Sequence, residues 1–413
     1  MTAALVDDLD RQLQHWLGAT RACLDAESFA SRQAWDSLEQ TVGLPVRTRL
    51  AHTVDELIRA GRAAENSVRL ARTQPTQASV AESAVDNFRR RYLQVETTLA
   101  FFGAAVNSRT SPGLRATMAT LDQLATQSIE TALTGTGIPV PPVLTYIGDG
   151  LGASIIRAGI RLWDPGTVNP VAAVKIVRHN LYRPTSLFHE TGHQVAHLTN
   201  WNDSVRTALG RELADDPALR AMWQPWSSEI AADVYAFCLT GYAAVPALYD
   251  VVADPRTILR WPLGDPHPIG WLRVLLGVAM CRNAFGTGPW DELERALISA
   301  HSPATADAST APLLRRSHDR IRAIAEACLS APVPGLGGRS ITTVADPQRV
   351  SPQALSELER LTGPALWTSP HWRGTEGIRI VALAGLREAE QPGRGGDWVD
   401  RAQRWFSARP VAA

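Results

Sequence analysis

Little in this sequence ties the chain to an oxidising compartment, a nucleic acid or a membrane. Only four cysteines occur in 413 residues, Cys23, Cys238, Cys281 and Cys328, widely spaced and with no C-x-x-C pair. That spacing excludes a disulfide framework and a zinc knuckle, and it predicts small core residues in a reducing compartment. Neither sign of charge is in excess: basic and acidic residues both total 41. A neutral chain has no field to attract nucleic acid or anionic lipid. There is no apolar run of the roughly 18 residues that would suggest a membrane span, and the longest candidate, around Trp271 to Met280, is interrupted by Arg273. The first residues, MTAALVDDLDRQLQHWLGA, are acidic early and amphipathic. They lack the basic start and apolar core of a secretory signal. The expectation is a cytoplasmic protein with no nucleic-acid or membrane partner.

What is present is core-forming residue. Hydrophobic residues make up 45% and charged residues 20% of the chain, enough to pack folded domains throughout. Residues 1–135 read as a helical bundle. Apolar residues recur at three and four, as in Leu5, Leu9, Leu13 and Trp16-Leu17, and again in Val85, Phe88, Tyr92, Val95 and Leu99. Breaks fall at Gly43-Leu44-Pro45, at Thr73-Gln74-Pro75 and over 108–113. A Gly/Pro-rich linker over 134–142 then leads to a change of pattern. Val143 to Ile147, Ala153 to Trp163 and Val171 to Val177 are β-rich runs, so a small sheet precedes residue 184. The Gly148-Asp149-Gly150-Leu151-Gly152 stretch does not fit a phosphate-binding fingerprint and reads as a tight hairpin connection. From Leu213 to Ser330 the chain is again helical, with a surface loop expected from His301 to Pro312. A second linker is expected over 331–338, then a helical extension over 339–413 with helices at Pro352 to Leu361 and Gly396 to Ser407. The fold class is therefore α+β and mainly helical, in three parts: 1–135, 143–330 and 339–413.

The chemistry concentrates in His189-Glu190-Thr191-Gly192-His193, which reads H-E-x-x-H inside a stretch, Pro184 to Thr199, that should be helical. Histidines four apart lie one turn apart on one helix face. They can converge on one divalent ion, with Glu190 beside it to act on a water. A catalytic zinc needs a third protein ligand. Glu229, in Ser227-Ser-Glu-Ile-Ala-Ala-Asp-Val-Tyr235, is the candidate. That segment is apolar nearly all round, and a buried Glu and Asp need partners. Asp233, one turn beyond Glu229, would accept the N–H of a ligating histidine. His197 extends the same row as His189 and His193. Eight residues span about 12 Å of helix axis, too far for three imidazoles on one ion, so His197 is assigned to packing or to supporting the ligands. Trp223, Trp226, Trp261 and Trp271 flank this region and either wall a groove or pack in the core.

H-E-x-x-H followed by E-x-x-x-D on a later helix resembles the gluzincin group of zinc metallopeptidases. A downstream stretch, Asp265 to Arg273, resembles the H-P-x-x-x-x-R element of the M48-like peptidases, and H-E-x-G-H also occurs in the helical M3 oligopeptidases. The resemblance covers about Val171 to Met280, without the membrane helices of the M48-like group and with a long helical domain in front. It implies zinc on His189, His193 and Glu229, with Glu190 as general base. It implies that His267 and Arg273 stabilise the developing oxyanion or orient the ligands, and Tyr235 is a further candidate for the oxyanion. It also implies extended substrate pairing with the strand before the helix, Val174 to Arg178, close to His179 and Tyr182. The expected function is zinc-dependent hydrolysis of a peptide or protein substrate. Two alternatives stay open: a helical interaction protein with a structural or vestigial zinc site, and a hydrolase of non-peptide amides.

Overall fold

The computed structural model describes residues 3–150, 152–158, 171–261, 266–391 and 395–408. The described residues are 75% helical with 4% strand, the mainly helical α+β class expected from the sequence. They form two compact units, one within residues 3–115, the other within 116–158 and 171–408. This division differs from the one the linkers suggest. The boundary falls in the first turn of a helix, and the C-terminal residues belong to the same unit as the candidate site.

The first unit contains α1 (Ala3–Ala22), α2 (Arg32–Val42), α3 (Val46–Thr73) and α4 (Ala78–Asn107). Gly43, at φ 69°, closes α2 with its N–H on Glu39 O. The left-handed conformation there suits a residue without Cβ. The expected stripes form the core: Leu9, Leu13, Val85, Phe88, Tyr92, Val95 and Leu99 are all buried. At Gly61 of α3 a Cβ would lie 2.6 Å from Leu17 and 3.0 Å from Phe88. Glycine thus lets three helices cross closely.

The second unit is built around one sheet and one central helix. Helix α5 (Pro112–Leu133) leads into β1 (Val143–Ile147), β2 (Ser154–Ile156) and β3 (Ala172–Ile176). The order is β1-β3-β2, with β1 parallel and β2 antiparallel to β3. Two expectations change here. The 148–152 stretch is not a hairpin turn, because β1 and β2 lie on opposite sides of β3. And β3, the strand assigned to substrate pairing, is central, so both its edges are already occupied. The continuation of the second β-run over 159–163 lies outside the described residues, as does Leu151.

The helices that follow are α6 (Thr185–Thr199), α7 (Trp201–Glu212), α8 (Pro217–Trp223), α9 (Ser227–Thr240), α10 (Ala244–Val252) and α11 (Gly270–Phe285). Then come α12 (Trp290–Ala300), α13 (Thr310–Leu329), α14 (Pro352–Thr362), α15 (Ala365–Thr368), α16 (Pro370–Thr375), α17 (Gly377–Glu390) and α18 (Gly395–Ser407). The expected loop after residue 300 and both expected C-terminal helices are present. The expected linker over 331–338 instead packs: Val333 and Leu336 are buried, and a Cβ on Gly335 would lie 2.8 Å from Thr199 of α6.

Helix α9 is the centre of this unit, with Ile230, Ala231, Ala232 and Val234 fully buried. Pro217–Val252 is long and apolar enough by composition to cross a membrane, but 78% of its apolar window is buried inside the protein, as for a core helix. All four cysteines are buried and free.

Candidate metal centre

Helix α6 carries the histidine pair because its apolar positions face inward. Leu187, Phe188, Val195 and Ala196 are buried, which turns His189 and His193 toward α9. The helix ends at Asn200, in the left-handed region at φ 55°, whose N–H bonds Ala196 O. Three side-chain bonds at two positions fix its rotation. Gln194, fully buried, accepts from Ala158 N at 2.8 Å and donates to Ala158 O at 3.2 Å, so its amide extends the β2 segment like a strand neighbour. Ser128 of α5 donates to Thr191 Oγ1 at 2.8 Å.

The approach of α6 to α9 depends on Gly192. A Cβ there would sit 2.9 Å from Ala232 Cα and 3.1 Å from Ala232 O, both backbone atoms that cannot swing aside. The middle of the pentapeptide therefore lets the helices come close enough for Glu229 to reach both histidines.

The result is a three-residue donor group. One ligand atom from each of His189, His193 and Glu229 lies within 4.8 Å of the others. Glu229 Oε2 is 3.4 Å from His189 Nε2, and Oε1 is 3.3 Å from His193 Nε2. Glu229 is 6% exposed, yet its Oε2 makes no hydrogen bond. A buried carboxylate oxygen left in that state is costly, and a cation among these donors would satisfy it. The residues present thus fit a metal ion.

The groups behind the donors are well defined. Asp233 Oδ1 is 2.9 Å from His189 Nδ1. Arg273 Nε and Nη2 bind Asp233 at 2.5 and 2.8 Å, a two-pronged pair with both side chains nearly buried. Ser228 Oγ lies 3.3 Å from His193 Nδ1. Each histidine thereby presents Nε2 to Glu229 while Nδ1 is held, as expected where outer partners fix ligand orientation.

The electrostatics follow. Burial works against charge on His189, but the adjacent Asp233 and then Glu229 outweigh it and raise the imidazole to about 9. Glu229 is held well below the usual carboxylate range, against its burial, by His189 and His193. Burial likewise opposes charge on Asp233, and Arg273 and His189 hold its carboxyl down. Glu190 moves the other way: burial raises it despite the neighbouring histidines. It is 6% exposed and makes no hydrogen bond to any described residue, and with His189 it lines a cavity of about 500 Å³.

Several assignments change. Arg273 lines the cavity, but its guanidinium is paired with Asp233, with Nη2 also 3.3 Å from His189 and 3.6 Å from Glu229 Oε2, which is the ligand-orienting one of its two expected roles. Tyr235 is not at the cavity. Its side chain is fully buried beside Gly192 where α9 meets α6, and its hydroxyl donates to Ser128 O. Residues 229 and 235 are six apart, about 120° around the helix, so the sequence already put them on different faces. His267 does lie at the cavity, half exposed, with Nε2 3.4 Å from Glu229 Oε2. It stands outside the donor group of three. Asp265 lies outside the described residues. His197 is half-buried and apart from the donors, and burial and Arg157 lower its pKa. His179 is exposed. Trp223, Trp226 and Trp271 are core residues, and Trp261 is more open at 36%. None of the four lines this cavity.

Tyr146 was not singled out from the sequence. Its hydroxyl is raised by burial and by the charge of Glu190, which places it in that carboxylate's field. Its register opposite Lys175 on β3 was the missing information.

No protein-family model matches the chain, and no curated protein or solved structure matches it. The class that stands on the residues alone is a mainly helical α+β protein with a possible metal-binding site at His189, His193 and Glu229.

Proposed function

We propose that this protein is a zinc-dependent amide hydrolase of the gluzincin type, acting on peptide bonds. Two imidazoles and one carboxylate are the donor set of catalytic zinc, one short of the four that close a structural site. Zinc bound there would supply a Lewis acid and a water acidified toward a pKa of about 7.

The observation that carries the reading is Glu190. A structural site has no use for a buried carboxylate kept off every described hydrogen-bond donor beside the ligands and facing a cavity. In this reading Glu190 takes a proton from the attacking water as the new C–O bond forms. It returns that proton to the amide nitrogen as the C–N bond breaks, so both products leave neutral in their bonding. Its raised pKa suits that exchange. Asp233 keeps His189 oriented, and Arg273 keeps Asp233 ionised. His267, at the cavity mouth, would donate to the carbonyl oxygen. Gly152 and Ala153, just before β2, also line the cavity.

The test is Glu190→Gln on zinc-loaded protein. Hydrolysis of responsive peptides should fall about 10²–10⁴-fold with zinc stoichiometry unchanged. Turnover at the wild-type rate would rule the mechanism out.

A further inference from the structure

The cavity at the metal centre is far larger than the donor group requires, and away from Asn180, Thr185 and Ser186 its walls are mostly apolar. From the mouth at His189, Glu190 and His267 it runs past Ala236 and Phe237 of α9 to Ala244, Leu248 and Val251 of α10 and Met280 of α11. The three α10 positions recur at four and three, so they share one helix face. That face is only half-buried, whereas Val245 and Ala247 beside it are buried. An apolar stripe that no described residue fully covers, continuous with a candidate reaction centre, is arranged to be covered by something apolar. The charged groups nearby do not oppose this. Asp233 and Arg273 are paired with each other, and Arg260, at the wall, is exposed.

Size narrows the occupant. An apolar cavity of about 150 Å³ holds a benzene ring. This one is about 500 Å³, so a single aromatic side chain would leave most of it empty. We infer that the cavity receives an apolar group larger than any one amino-acid side chain, attached to one flank of the scissile amide. The group is either a long alkyl chain or two neighbouring apolar residues. The inference rests on the hydrolase reading for what lies at the mouth, but not for binding itself.

The experiment measures binding by calorimetry to full-length Glu190→Gln protein, in zinc and again with chelator. The probes are N-alkanoylglycines of increasing chain length and N-acetyl dipeptides from Ala-Ala to Leu-Leu and Phe-Phe. Affinity should rise about fourfold per added methylene until the cavity is full, and the series that gains identifies the source. Ala244→Phe should end the gain earlier. Leu248→Ala, which cannot clash, should extend it. Affinity independent of apolar size in both series, or a gain that neither variant alters, would overturn the inference. Turnover by the wild type is scored separately. Length-dependent binding without cleavage leaves the cavity assignment standing and removes the hydrolase. Cleavage without length dependence does the reverse.

Discussion

Two clusters in the second unit are made from the same kinds of side chain and end in opposite states. Between α11, α12 and α13, Arg282 binds Asp291 and Glu294, with Nε to Asp291 Oδ1 at 2.9 Å and Nη2 to Glu294 Oε2 at 2.6 Å. His318 Nε2 is 3.6 Å from Glu294 Oε1, and Gly288 N donates to Asp291 Oδ2 at 3.0 Å. Every charge there has a partner, and every side chain retains some exposure. Between α6, α9 and α11 the groups are more buried, and Glu229 Oε2, with His189, His267 and Arg273 at 3.4, 3.4 and 3.6 Å, still makes no hydrogen bond, while Glu190 makes none to any described residue. A network whose task is structural closes on itself. Unmet valence in a buried network marks a place where something else binds.

The comparison breaks most sharply at the two arginines. Arg273→Met leaves Asp233 buried beside one imidazole, and should cost about 3–5 kcal/mol. Arg282→Met, in the more open cluster, should cost about 1 kcal/mol. Denaturant midpoints of the metal-free proteins check both, and equal losses would erase the distinction. Next in size is Asp233→Asn, which keeps the shape but weakens the hold on His189. Zinc affinity should fall about 10–100-fold, measured by competition with a chromogenic chelator. An unchanged affinity would mean that Asp233 only balances Arg273.

The smallest effect belongs to the closed cluster and concerns acid. His318, then Arg282, hold the Glu294 carboxyl down to about 2. A carboxyl depressed on folding contributes stability above its unfolded value, near 4.5, and loses it as pH falls toward 2. Wild type should lose at most about 1 kcal/mol more than Glu294→Gln over that interval. Parallel acid curves for the two proteins would show that the pair contributes nothing.

Much of the candidate site was legible because it is local. Four-residue spacings on helices place side chains on one face whatever surrounds them, so the histidine pair and the Glu229–Asp233 pair could be read directly. The apolar flanks of α9 foretold that its acids would be buried among partners. The bundle helices were legible for the same reason, with breaks at proline and glycine. What escaped was neighbour order. Apolar β-runs do not say which strand lies in the middle, so the sequence could not show that β3 sits between β1 and β2. Gly and Pro content over 331–338 suggested a linker, but small residues also serve where chain packs tightly on a helix, as Gly335 does on Thr199. The spacing that singled out Arg273 could not show that its guanidinium was committed to Asp233. The Gln194–Ala158 pairing has no sequence period to betray it.

Gly192 offers no donor atom and does not line the cavity, yet the site's assembly hangs on the missing methyl group there. Two histidines and a carboxylate can face one another across helices a fraction of an ångström too far apart and never share an ion. Position 192 therefore carries as much information about the centre as a ligand does. In a mutational survey read by metal content, its intolerance should match that of His189, His193 and Glu229 rather than that of an ordinary helix surface.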